Sequence, residues 1–151
     1  MHEEKMSNSP NSNVMKRLIK EGVKFHGHLG PFLILGLKAG LFASKILGKD
    51  CFKVYAIVET EPSPPFSCIL DGIRVATGCT MGKRNIELKS GKHLSVTFTK
   101  EEKRLKISLK DEVLSDLKNM SSREESENKA KILINQPFHE LFNIEEKPTN
   151  P

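Results

Sequence analysis

A chain of 151 residues, 37% hydrophobic and 28% charged, has the material for one domain around one core, with little over for a second. Its longest apolar run, Leu29 to Leu37, falls well short of the ~20 residues a bilayer crossing needs, so no membrane association is expected. The net charge of +5 comes with one Tyr and no Trp, and a basic stretch without interleaved aromatics speaks against nucleic acid and for a small anionic ligand.

The opening residues are acidic and polar, rich in Ser, Asn and Pro. They lack the apolar core of a secretion signal, which points to a cytoplasmic protein with a mobile tail over 1–12. Three cysteines at irregular spacing suit reduced thiols or metal ligands better than a disulfide framework. A single core domain is expected over 13–144, with a flexible C-terminus over 145–151.

Val14, Leu18, Ile19 and Val23 repeat at helical spacing, with Asn13 as N-cap and Gly22 near the stop. The next helix should begin at Gly30-Pro31, where a proline's missing N–H costs nothing, and run to Leu47 before Gly48. Gly36, Gly40 and Ala43 make a small-residue stripe on it that admits another backbone, and its remaining faces are apolar. It reads as a buried central helix.

Residues 51–60 alternate and are β-branched, which predicts a strand. The prolines of "EPSPPF" forbid regular structure after it, and "SCILDGIRVATG" predicts a short helix ending at Gly78. "NIELK", "HLSVTFTK" and "RLKISLK" predict three strands joined as an antiparallel meander. Two helices, "DEVLSDLKNM" and "SREESENKAKILIN", and a closing "PFHELFNI" complete an α+β order: an antiparallel sheet packed against helices.

Three groups of residues bear on chemistry. In "KFHGHLGP" the histidines His26 and His28 flank Gly27, so both are expected in the loop entering the central helix, where their rings can converge on a metal. Such a pair is more often hydrogen-bonded structure than a metal site. Cys68 and Cys79 bound the short helix and would complete a zinc-type donor set of imidazoles and thiolates. A straight helix, however, would hold them ~16 Å apart, against the ~4.6 Å that two thiolates on one zinc allow. Either the helix is shorter and folds back at Thr77-Gly78, or the cysteines share no metal within a chain, or a two-fold dimer brings them together. Both also read as small buried hydrophobes, and Cys51 as core packing.

The third group, "ATGCTMGKRN", can form an anion-binding concavity of backbone N–H groups with Lys83 adding charge, or simply a tight turn. If Cys79 is a catalytic nucleophile, those positive groups would activate it. Asp71 is placed to orient a ligand residue. His93 and His139 read as structural, and His2 lies in the tail.

"FHGHLGPFLILGLKAG", a cysteine near 68, "DGIRVATGCTMGKRN" and the Leu-Phe-Asn-Ile ending together resemble the core domain of the FmdE family of formylmethanofuran dehydrogenase subunits, from about Val14 to Phe142. The resemblance implies an α+β homodimer with a cleft where these blocks meet and a metal, zinc or another transition metal, binds. It implies His26, His28, Cys68 and Cys79 as the metal or active-site set, with Thr80, Gly82 and Lys83 lining it toward substrate. Many members carry a C-terminal zinc-finger module, which this chain, with no cysteine after Cys79, does not show. The family name comes from an operon association with a molybdenum or tungsten enzyme of methanogenesis and establishes no reaction. Three roles follow: a metal protein binding or acting on a small anionic molecule, a non-catalytic accessory subunit or metal or cofactor delivery protein for such an oxidoreductase, and a thiol enzyme using Cys79 without metal.

Overall fold

The computed structural model describes residues 10–148. Most of the expected tail, with His2, lies outside the described residues, as do residues 149–151. In chain order the elements are α1 (Pro10–His26), α2 (Pro31–Leu47), β1 (Tyr55–Thr60), a 3-10 turn (Phe66–Cys68) running into α3 (Ile69–Thr77), β2 (Ile86–Ser90), β3 (Ser95–Lys100), β4 (Lys103–Leu109), α4 (Asp111–Leu117), α5 (Arg123–Asn135), α6 (Phe138–Leu141) and β5 (Phe142–Pro148). The fold is α+β, as expected. Residues 145–148, assigned from sequence to a flexible end, pair with β4 in the closing strand.

Helix α2 is the centre of the molecule. It packs on β3 and β4 and is flanked by α1, α3 and α5, and Phe32, Leu33, Ile34, Leu35 and Leu37 are at most 1% exposed. Its small-residue stripe works as the spacing foretold, with α3 as the backbone that approaches. A Cβ on Gly36 would strike the Ile69 carbonyl, one on Gly72 the Leu33 carbonyl, and one on Gly40 would lie 2.6 Å from the Ala76 Cβ. Backbones in such contact fix α3 rigidly along α2.

Helix α1 is longer than its sequence signals suggest. It starts at Pro10, before Asn13, and runs through Gly22 to His26. Gly22 is a packing residue, not a stop: a Cβ there would meet the Leu37 Cδ1 at 3.3 Å. The chain turns only at Gly27, whose φ of 109° is left-handed and whose N–H donates to the Val23 carbonyl at 2.8 Å. His26 is therefore helical and not in the loop.

The sheet order is β2-β1-β3-β4-β5. Neighbours pair antiparallel except β1 and β2, which run parallel with Ala56 opposite Ile86 and Val58 opposite Leu88. The expected antiparallel meander of β2, β3 and β4 is thus corrected at its first step. β1, α3 and β2 form a parallel crossover unit, and β1 lies between β2 and β3. Residues 91–94 suffice to carry the chain across β1, because two strand spacings are only ~10 Å. β1 is also shorter than read, since the Asp50 carboxylate accepts from the N–H groups of Phe52 and Lys53 at 3.1 and 3.3 Å and ties 50–54 into a turn.

Candidate functional site

The parallel connection sets α3 along α2 with its start beside the end of α1. Asp71, in the first turn of α3, places Oδ2 2.6 Å from the His26 Nδ1. A carboxylate accepts, so Nδ1–H donates, and in the neutral ring this leaves the Nε2 lone pair free to ligate. The turn at Gly27 then folds His28 back beside His26. Their ring centroids are 4.7 Å apart at an interplanar angle of 42°. Gly30 makes room for this, since a Cβ there would stand 3.1 Å from the His28 Cε1.

The consequence is chemical. The His26 Nε2 and the His28 Nδ1 are both buried and find no hydrogen-bond partner among the described residues, and the His26 side chain is 10% exposed. Buried polar nitrogens are nearly always bonded, because each orphan costs on the order of 1–3 kcal/mol. Two together, one held in the ligating tautomer by a carboxylate, suit a cation. Cys68 closes the 3-10 turn at the same end of α3, half-buried, and its thiol is pushed up by burial and then by the Asp71 charge.

Cys79 lies past the other end. The nine residues of α3 span about 13 Å at ~1.5 Å each, and the chain leaves through Gly78 in the left-handed region, φ 81°. Within one chain the helix therefore does not fold back, and Cys68 and Cys79 stand at opposite ends of it. Cys79 is fully buried, with Sγ 3.4 Å from the Val54 carbonyl. Burial pushes its thiol up, outweighing the Thr77 hydrogen bond and the Lys83 charge that pull it down. The activation expected of the positive groups is reversed by desolvation.

The loop after Cys79 is bonded to itself. The N–H groups of Cys79 and Lys83 donate to the Thr77 and Thr80 hydroxyls, and that of Thr80 to the Asn85 Oδ1 at 2.8 Å. Arg84 and Asn85 donate to the Met81 and Thr80 carbonyls. These donors are engaged in a tight turn and do not line an open concavity. Gly82 is exposed, and the Lys83 Nζ lies 5.7 Å from the centroid of the Phe52 ring. Sequence reasoning passed over Asn85, the buried hub here, whose amide also donates to the carbonyls of Cys51 and Val54 at 2.7 and 3.2 Å. Among the described residues no group of three or more His, Cys, Asp and Glu side chains is gathered as a metal cluster.

A family model described as "FmdE, Molybdenum formylmethanofuran dehydrogenase operon" matches residues 25–148. The chain belongs to the FmdE family. It is thus a formylmethanofuran dehydrogenase-related protein, and the match opens at Phe25, beside His26, so that both ends of α3 lie inside the FmdE segment. A "Probable S-adenosyl-L-methionine-binding protein" of Archaeoglobus fulgidus is similar to this chain, 34% identical over 102 residues that cover 62% of this chain and 26% of that protein. The chain matches about a quarter of that relative's length. Among the described residues no helix is long and apolar enough to cross a membrane.

Proposed function

We propose that this FmdE protein binds a transition metal through His26 and His28, with Asp71 holding His26 in its ligating tautomer and Cys68 as the thiol at the same end of α3. The observation that carries the reading is the pair of buried imidazole nitrogens without partners among the described residues. Imidazole with thiolate at hand suits zinc. Two nitrogens leave tetrahedral positions open, for Cys68, for a small anionic molecule or for a ligand from a second copy in a homodimer. Cys79, fully buried past the far end of α3, would join them only if the chain around it opened.

Thr80, Gly82 and Lys83 enter a metal site only in that dimeric arrangement. Catalysis by Cys79 without metal is disfavoured by its burial and raised pKa. The family supports a setting with a molybdenum formylmethanofuran dehydrogenase, where, in a cytoplasmic protein, the same site would serve an accessory or metal-delivery role to that enzyme or a tungsten counterpart.

Metal analysis of untagged protein, loaded with zinc and desalted, tests the reading. About one equivalent per chain in the wild type, lost in His26→Ala, is expected; less than ~0.2 equivalents in both rejects it. Co-purification with the large oxidoreductase would favour the accessory role. The name of the Archaeoglobus relative makes S-adenosyl-L-methionine a further ligand to titrate against the loaded and stripped protein.

A further inference from the structure

Cys51 reads from sequence as packing at the start of a strand, yet the fold sets it against the chain at Cys79. A Cβ on Gly78 would stand 2.7 Å from the Cys51 Cβ and 4.0 Å from its Sγ, so the Cys51 side chain lies directly on the residue that precedes Cys79. The Cys79 Sγ in turn rests 3.4 Å from the carbonyl of Val54, whose N–H closes the turn that contains Cys51 by donating to the Asp50 carbonyl at 3.0 Å. Asn85 ties both segments together by bonding the Cys51 and Val54 carbonyls. The two thiols belong to one small cluster, Cys51 half-buried and Cys79 buried.

We propose that Cys51 and Cys79 form a dithiol site that closes to an intramolecular disulfide by exchange with a low-molecular-weight disulfide, leaving Cys68 as a free thiol. The burial of the two residues orders the steps. The Cys51 thiolate attacks the small disulfide, forming a mixed disulfide and releasing one small thiol; the Cys79 thiolate then attacks the Cys51 sulfur and releases the second. Two protein thiols are oxidised, one small disulfide is reduced to two thiols, and both thiol protons go to the departing thiolates. Burial keeps Cys79 out of reach of the small disulfide itself, so it acts as the resolving partner. The product would bolt the 50–54 turn to the end of α3.

The test is made on the reduced full-length chain, treated with oxidised glutathione without oxygen, quenched with N-ethylmaleimide in denaturant, so that buried thiols are labelled too, and mapped by peptide mass spectrometry. Cys51 and Cys79 are expected to lose their label together, in a linked peptide pair from a chain lighter by about 2 Da, while Cys68 stays labelled and dithiothreitol restores both sites. In Cys51→Ser, a change at a half-buried position, Cys79 is expected to remain reduced. A link through Cys68, a link between two chains, a stable mixed disulfide on Cys51 with Cys79 still free, or oxidation of Cys79 in Cys51→Ser at the wild-type rate would each overturn the proposal. Because the readout is thiol labelling, the result is independent of whether His26 and His28 bind metal.

Discussion

The two ends of α3 carry similar reactive residue types and use their polar atoms in opposite ways. At its start, His26, His28 and Asp71 converge and leave two buried ring nitrogens without partners among the described residues. At its end, Cys79, Thr80, Lys83 and Asn85 are bonded to one another and to the preceding turn. The contrast shows that glycines, threonines, a thiol and a lysine in ten residues do not make an anion-binding concavity of backbone donors that are already engaged. Two orphaned nitrogens are more telling, because a buried polar atom is rarely left unpaired.

The strongest way to break the contrast is to displace α3 itself. In Gly72→Ala the new methyl would meet the Leu33 carbonyl and lie 2.7 Å from the Leu37 N, and neither backbone can move while α2 stays in the core. A loss of ~3 kcal/mol or more is expected in urea unfolding, with both ends disturbed. Gly78→Ala strikes one end only. A left-handed φ of 81° costs an L-residue about 1–2 kcal/mol, and the contact with the Cys51 Cβ adds to it, so the unfolding midpoint should fall while zinc uptake at His26 stays unchanged.

Asp71→Asn sharpens the other end. Asparagine keeps the size but removes the charge that fixes the His26 tautomer, so zinc affinity by competition with a chelator should fall about 10–100-fold while thermal unfolding of the metal-free protein barely shifts. The smallest effect lies away from both ends, at Lys38, whose ammonium donates to the Gln136 carbonyl at the end of α5. Burial lowers its pKa from the ordinary 10.5 to about 8. Between those values an unfolded Lys38 holds its proton and a folded one does not, so the Lys38 contribution to stability should rise with pH across that window, against the opposite contribution of the raised Cys68 and Cys79 thiols. Lys38→Met should remove that contribution, read as the difference between wild-type and variant unfolding midpoints along a pH series.

Much of this architecture is local and could be read in advance. Pro31 opened α2 and Gly48 followed its end, because a missing donor and a chain exit leave marks at single positions. Gly78 marked the end of α3, and Asp71 was placed as an orienting group that the fold sets on His26. What misled was also local. Gly22 resembled a stop although it is a contact with α2, and the short link between β2 and β3 resembled a hairpin although it crosses over β1. A glycine that admits a neighbour and a glycine that ends a helix look alike until the neighbour is known.

The sequence by itself determined the buried central helix, the α+β order and the pairing of His26 with His28 around a glycine turn, since periodicity, proline and glycine act over a few residues. Only the tertiary structure decided that β2 runs parallel to β1, that α3 holds Cys68 and Cys79 apart within a chain, and that Cys51 meets the Gly78–Cys79 junction. Those outcomes depend on how segments far apart in sequence bury one another, and no single segment encodes the partner it will meet.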